Sequence, residues 1–485
     1  MLGLPAIARV LGVLLLLFSA AYLLPIGWAL AAGDESLDGF LIAALGTAAT
    51  GLALWVPARG TRRELQPRDG CLLVVLAWLL MAGSACVPLL LEIPGLGFTR
   101  AFFEATAGLT TTGATTLTGL QQLPQPLNLW RCALQWYGGM VTIVLAVAVL
   151  PLLGVGGVQL LRSDTPGPMK EAKLAPRITQ TARSLWPIYV GLTAACLLAL
   201  RLAGMDWFDA LCHALTAVSL GGFSTRDESI AAFDSPAIEA VLSVFMLLSV
   251  LNYATHFLVV RARSPRPYGA DAEARATLAL VGGSCAMLAA FLYAQDVYAG
   301  LGTALRHAGF NAISFATTTG YLGTDYAQWP AFAPVWMLFL CTVASSAGSI
   351  GGGIKTIRAL ILFRQAGREL VRLIHPRAIN PLIIGGTLMD NKVIFSVLGF
   401  MLFYGLTAGV LTLGLMATGL DLTSALSGVL SSMNNTGPGL GLLGPTHGYA
   451  ALDDLQLWML WLAMLAGRLE LLTVFVLFTA AFWRS

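Results

Sequence analysis

The sequence predicts an all-α polytopic membrane protein in which two N-terminal transmembrane helices precede four pseudo-symmetric helix–pore loop–helix repeats. Three observations predict it. The chain is 57% hydrophobic and only 11% charged over 485 residues, with mean hydropathy +0.77, far from soluble composition. A short Thr/Gly element recurs four times, each time between a short apolar run and a long one. Basic residues concentrate in alternate inter-span segments.

Runs of about 20 apolar residues cross a hydrocarbon core of about 30 Å. Two such runs, 7–32 and 38–57, open the chain. The first carries Ser19-Ala20-Ala21, similar to a signal-peptide cleavage site, but continues to Leu30 and is read as an uncleaved span. A long–short–long pattern then repeats: 71–92, 100–110 and 128–153; 184–204, 206–219 and 236–260; 276–299, 303–317 and 333–360; 392–418, 421–434 and 455–482. The predicted units are 1–65 for the leading helices and 66–165, 166–265, 266–375 and 376–485 for the repeats, giving ten crossings and four half-crossings.

Charge placement tests that count independently of hydropathy. Segments 58–70, 161–186, 261–275 and 355–392 hold 20 of the 28 Lys and Arg residues. The intervening segments keep Asp34, Glu35, Asp38, Glu92, Asp227, Glu228, Asp325, Asp453 and Asp454. By the positive-inside rule the four basic segments and both termini are cytoplasmic, and the Thr/Gly loops dip in from outside. The net charge of +3 sits in these loops and does not point to nucleic acid.

The four elements are Thr110-Thr111-Thr112-Gly113-Ala114-Thr115, Ser219-Leu220-Gly221-Gly222-Phe223-Ser224, Thr317-Thr318-Thr319-Gly320-Tyr321 and Asn434-Asn435-Thr436-Gly437-Pro438-Gly439. Aligned on Gly113, Gly222, Gly320 and Gly437, each has a side-chain oxygen three places earlier, at Thr110, Ser219, Thr317 and Asn434. One such cluster is an ordinary loop or a small-residue packing site. Four at matched places read as re-entrant loops around one pore. A cation must exchange its water shell for other oxygens, and backbone carbonyls from four extended segments supply them. Glycine at the narrowest point adds no bulk on the axis. The short run before each element is a half-helix whose C-terminal carbonyls favour a cation. Asp227 and Asp325, five places after their glycines, are either an acidic outer mouth or solvated loop carboxylates.

Two anomalies lie beyond the loops. Ser345-Ser346-Ala347-Gly348-Ser349-Ile350-Gly351-Gly352-Gly353 interrupts the last span of the third repeat, and three consecutive glycines do not sustain a helix. Unwound backbone at that depth must be buried in protein or line a cavity, so it is either a movable barrier or a kink. Arg468 is a charge inside the final span, where ionisable groups face a cavity or a partner. Glu470 is a candidate partner, although residues two apart face different sides of a helix. Lys355 either belongs to the loop or is a snorkelling anchor.

These residues resemble the TrkH branch of the Trk/Ktr/HKT superfamily of potassium transport proteins, over nearly the whole chain. The resemblance is carried by Gln135-Trp136-Tyr137-Gly138-Gly139-Met140, Pro151-Leu152-Leu153-Gly154-Val155-Gly156-Gly157, Thr165-Pro166-Gly167-Pro168, Gly221-Gly222-Phe223-Ser224-Thr225, Ala347-Gly348-Ser349-Ile350-Gly351-Gly352-Gly353-Ile354-Lys355, Asn434 to Gly439 and Gly467-Arg468-Leu469-Glu470. It implies a bacterial inner-membrane pore for K+. The K+-lining positions it implies are Thr111, Thr112 and Gly113; Leu220, Gly221 and Gly222; Thr318, Thr319 and Gly320; and Asn435, Thr436 and Gly437. Glycine at all four key positions goes with potassium preference in that family. Leu220 departs from the threonine that relatives often carry. The implied gate comprises Gly348, Ser349, Gly351, Gly352, Gly353, Lys355 and Arg468. A homodimer and a cytosolic nucleotide-binding TrkA-type subunit are further implied; no nucleotide motif is visible in the chain itself.

A proton- or sodium-coupled symporter is the main alternative. It needs a titratable residue on the ion path, for which Glu104, His213, Asp421 and Glu470 are the candidates, the first two sitting on the half-helices. A membrane-embedded enzyme needs grouped carboxylates or histidines, and His213, His256, His307, His375 and His447 show no such spacing. The seven cysteines, with no CxxC, read as small core residues.

Overall fold

The computed structural model describes residues 3–61, 63, 65–144, 174–378, 380–445 and 448–484. The words Pro151 to Gly157 and Thr165 to Pro168 lie outside the described residues, as do 161–173 of the second basic segment. The first span is one rod, Leu4–Ala32, with a single 3₁₀ turn at Ala20–Tyr22. It crosses Leu37–Ala58 closely, because Gly12 and Gly51 face each other: a Cβ at Gly12 would stand 2.7 Å from Gly51 O. Tyr22 stacks on Trp130 at 4.3 Å and donates to Ser84 O at 2.8 Å, which seats this pair against the first repeat.

Each repeat then supplies an outer helix, a half-length helix, a short irregular strand without sheet pairing and an inner helix. The outer helices are Arg68–Glu92, Leu174–Leu202, Ala272–Ala294 and Asn391–Ala417. The half-helices are Phe98–Leu109, Trp207–Val218, Leu301–Ala316 and Leu422–Met433. Three of them have 12 residues and that of the third repeat 16, a rise of about 18 to 24 Å against a hydrocarbon core of about 30 Å, so such a helix ends inside the membrane. Asp206 and Asp421 start two of them by accepting from Asp209 N and Ser424 N.

The inner helices depart from continuous spans. Only the first, Gln125–Val144, is unbroken as far as it is described. The second comprises Pro236–Val250 and Tyr253–Ala262, bent by 97°, and the fourth Asp454–Arg468 and Leu471–Phe478, bent by 113°. The expected uninterrupted runs 236–260 and 455–482 are therefore each two helices. Asn252 explains the first break: extended itself, it caps the new helix through its side chain on Ala254 N at 2.9 Å. The third inner helix is interrupted where the glycines require it, between Phe332–Val343 and Thr356–Ile374. A two-residue antiparallel ladder, Ile383–Ile384 with Thr387–Leu388, turns through Gly385 and Gly386, both at positive φ.

Gly12→Leu should cost about 1–3 kcal/mol by overpacking. Its thermal midpoint in detergent is expected to fall relative to Gly27→Leu, since nothing lies within 4 Å of a Cβ at Gly27.

Candidate functional site

The four strands begin as helix terminations of one kind. Each half-helix ends on Thr110, Ser219, Thr317 or Asn434, and the next residue turns left-handed: Thr111 at φ 51°, Leu220 at 53°, Thr318 at 59° and Asn435 at 52°. The amides of these four residues reach back to Gly108, Ala217, Phe315 and Ser432 carbonyls, and those of Thr112, Gly221, Thr319 and Thr436 to Ala107, Thr216, Ser314 and Ser431. This is the Schellman pair of bonds, made four times. The recurring side-chain oxygen three places before each glycine marks the helix C-cap.

Two residues further on, Gly113, Gly222, Gly320 and Gly437 also have positive φ, between 77° and 92°. Each abuts the carbonyl of the residue before the next repeat's glycine. A Cβ at Gly113 would overlap Gly221 O, one at Gly222 Thr319 O, one at Gly320 Thr436 O, and one at Gly437 would lie 2.6 Å from Thr112 O. The sequence of contacts runs from first repeat to second, third, fourth and back, so the ring is closed. One cavity of about 210 Å³ is lined by all four of these glycines together with Asp227, Arg131 and Tyr449.

Outside the ring, each loop is tied to the next. Glu104 is buried and accepts from Arg131 at 2.8 Å, Thr115 Oγ1 at 2.9 Å and Thr116 N at 2.9 Å, and Arg131 reaches on to Ser224 O at 3.3 Å. Tyr321 Oη donates to His213 O at 3.1 Å and Tyr326 Oη to Gly439 O at 2.8 Å. Tyr449 N donates to Thr115 O at 3.1 Å, which closes the circle. Asp227 accepts from Gly119 N and Leu120 N, and Asp325 from Ala327 N, so both carboxylates brace loops. Glu104 and His213 thus stand behind the strands, and Asp421 is a helix cap.

Below the ring lies the interrupted segment of the third repeat. Gly352 N donates to Thr318 Oγ1 at 2.9 Å, and its Cα packs on Asn434 O, so the segment touches the third and fourth strands. Gly348 and Gly353 have positive φ, Ser349 Oγ donates to Ser346 O at 2.6 Å, and a Cβ at Gly351 would stand 2.7 Å from Ser345 Cβ. Lys355, itself at φ 72°, turns its ammonium back onto Gly351 O rather than snorkelling away. Arg468 donates to Ile350 O at 2.8 Å and to Thr110 O and Thr111 Oγ1. Glu470 pairs with Arg358 at 2.6 Å, not with Arg468. Arg468, Lys355, Asn435 and the three glycines share one cavity of about 60 Å³.

This architecture has close counterparts. Residues 38–485 match the family model described as TrkH, cation transport protein. The chain belongs to the TrkH family. The Trk system potassium uptake protein TrkH of Salmonella typhimurium is 43% identical over 99% of both chains, and TrkG of Escherichia coli is 37% identical over 99% of this chain and 98% of its own. The crystal structure of the potassium transporter TrkH from Vibrio parahaemolyticus superposes with a TM-score of 0.92 at 40% identity, covering all of both chains.

Within this TrkH-family fold, several residues that hold the site were not singled out from sequence. Glu273 accepts from Ala347 N at 2.7 Å and Ile357 N at 3.1 Å, clasping both ends of the interrupted segment. Thr277 bonds Ser346 Oγ and Thr356 Oγ1 beside it. The break in the second inner helix offers Val250 O to Ser346 N, and Tyr253 N to Gly348 O, at 3.3 and 3.2 Å. A carboxylate opening an apolar span was the one sequence signal for Glu273. Glu273→Ala leaves two partly buried amides without their acceptor, at most about 1–3 kcal/mol each. Amide hydrogen exchange across 345–357 should then accelerate by at least about tenfold, with no comparable change in the half-helices.

Proposed function

We propose that this chain takes up K+ through a gated, potassium-selective pore across the bacterial inner membrane, under control of a cytosolic TrkA-type nucleotide-binding subunit. The closed ring of glycines against neighbouring carbonyls carries this reading. Carbonyls of Thr111, Thr112 and Gly113, Leu220, Gly221 and Gly222, Thr318, Thr319 and Gly320, and Asn435, Thr436 and Gly437 replace the hydration of the transported ion. Four half-helices aim their C-terminal dipole ends at the same place. Glycine at all four ring positions favours K+ over Na+. Leu220 alters this little, because its side chain is buried in the cluster with Tyr189, Val250 and Ile350, leaving its carbonyl as the ligand.

The segment Gly348 to Gly353, with Lys355 and Arg468, is the gate in this reading. It obstructs the inner pore at rest, stabilised there by Arg468 on Ile350 O, and withdraws when the cytosolic subunit pulls on the basic stretch 355–392. The basic segments and both termini face the cytoplasm, and two chains associate with one pore in each. The pairing of Glu470 with Arg358 and of Glu104 with Arg131 favours passive flux over proton coupling, since these carboxylates are already matched by arginines. A reversal potential that follows the K+ gradient alone at varied pH tests that choice.

Rescue of a potassium-uptake-deficient bacterium, with and without the subunit, tests the function. Gly320→Ser should reduce K+ over Na+ discrimination in liposomes by at least about tenfold, the equivalent of about 1.4 kcal/mol; retained discrimination in a folded variant sinks the ring as the filter. Deletion of 349–353 should raise basal K+ flux without the subunit, and unchanged flux with intact protein removes the gate.

A further inference from the structure

The second strand of the ring differs from the others. At the position before the ring glycine the strands carry Thr112, Gly221, Thr319 and Thr436. In the first and third, that hydroxyl bonds the hydroxyl of the C-cap residue, Thr112 to Thr110 at 2.7 Å and Thr319 to Thr317 at 2.8 Å. In the fourth, Asn435 Nδ2 donates to Thr112 Oγ1 at 2.9 Å and to Met464 O at 3.1 Å. The second strand has neither device and two adjacent glycines, the most flexible backbone a strand can have.

Gln135 supplies what is missing. It comes from the first repeat's inner helix, which passes close because Gly138 lies against Leu109 O and Gly139 against Ser219. The Gln135 side chain is fully buried. Its Oε1 accepts from Phe223 N at 3.0 Å and its Nε2 donates to Gly221 O at 2.7 Å, on either side of Gly222. The Phe223 amide fixes which end of the carboxamide is which, because the reverse orientation sets N–H against N–H. A Cβ at Gly221 would fall on Gln135 Cδ and Oε1, so the carboxamide fills the volume that threonine fills in the other strands. Gly221 O is also the ring oxygen that Gly113 abuts. Among the described residues no side chain donates to the corresponding carbonyls of Thr112, Thr319 or Thr436.

We infer that Gln135 is a positioning residue for ion selectivity, which holds the Gly221 carbonyl toward the axis in place of the side chain the second strand lacks. A carbonyl oxygen has two lone pairs; the carboxamide takes one and leaves the other for the ion. Without it, the peptides flanking Gly222 are free to rotate, and the ring keeps three fixed oxygens and one loose one. Smaller ions then find closer contacts, and discrimination against Na+ falls. The inference rests on the filter reading under Proposed function.

The test uses the purified full chain in liposomes, measuring K+, Rb+ and Na+ flux together with the thermal midpoint. Gln135→Met keeps length and removes both hydrogen bonds, and should lower K+ over Na+ selectivity at least about fivefold. Gly221→Thr should do the same by displacing the carboxamide. Gln135→Ala with Gly221→Thr should recover selectivity to within about twofold of the parent, because the threonine then occupies the vacated volume in the register of Thr112 and Thr319. Wild-type selectivity in Gln135→Met, whether or not the midpoint falls, overturns the inference. So does a double variant no more selective than Gln135→Ala alone. Absence of K+ selectivity in the parent protein defeats the filter reading itself and is separately visible in the same assay.

Discussion

Everything in this structure depends on how close four stretches of backbone come to each other around one axis. A carbonyl oxygen sits where a side chain would otherwise begin, at Gly113, Gly222, Gly320 and Gly437 in turn. That contact has no room for a Cβ, and it is made at positive φ, where an L-residue is strained in any case. The glycines are therefore required twice over, by dihedral and by space. Because the fourth contact returns to the first strand, movement of any one strand is resisted by two neighbours.

Each strand of the ring is reached through a strained turn at the end of its half-helix. Thr111, Leu220 and Thr318 are left-handed without being glycine or asparagine, a conformation costing about 1–3 kcal/mol each. The Schellman bonds offset part of that cost by satisfying helix-end carbonyls. The left-handed turn also sends these side chains away from the ring, toward the segment below. Thr111 meets Arg468, Thr318 meets Gly352 N, and Leu220 lies in the cluster that holds Ile350. Ring and segment are thus joined through three of the four repeats of this turn, while in the fourth Asn435 bonds Thr112 Oγ1 and Met464 O instead.

Much of this was legible in the sequence, and the part that was not has a physical reason. Four Thr/Gly elements at matched places disclosed the half-helices and the ring, because turn chemistry and glycine requirements are local. The three-glycine interruption was legible for the same cause. The breaks at Leu251-Asn252 and Leu469-Glu470 were not, since hydropathy continues through them and each is set by partners distant in sequence. Asn252 was the available clue, a capping residue within an apolar run. Proximity in sequence suggests Glu470 as a partner for Arg468, but the helix turns sharply between them, at φ 61° for Glu470, and delivers its carboxylate to Arg358, 112 positions earlier. Gln135 stood in a recognised motif, yet its task depends on a volume left empty by Gly221 in another repeat.

The three interrupted inner helices are one arrangement, and the hydrogen-bond accounting shows why. Unwound backbone inside a membrane needs partners for every exposed amide and carbonyl. The third repeat's segment finds them in the second repeat's break, through Val250 O and Tyr253 N, and in the fourth repeat's last full turn, through Arg468. Glu273 and Thr277 close its outer side. The second and third breaks therefore satisfy groups that each other exposes, and the side chain of Arg468, where the fourth helix breaks, takes up Ile350 O; straightening the second break into a helix would orphan its partners in the third. A pull on the helix Thr356–Ile374 acts first on Ile357 N and Thr356, the points held by Glu273 and Thr277, and then on Lys355 and Ile350. In the proposed pathway, opening is for that reason a concerted exchange of partners: the Arg358–Glu470 pair, on the pulled helix itself, gives way together with the Glu273 and Thr277 contacts, and the Arg468 contacts are the last restraints before the ring.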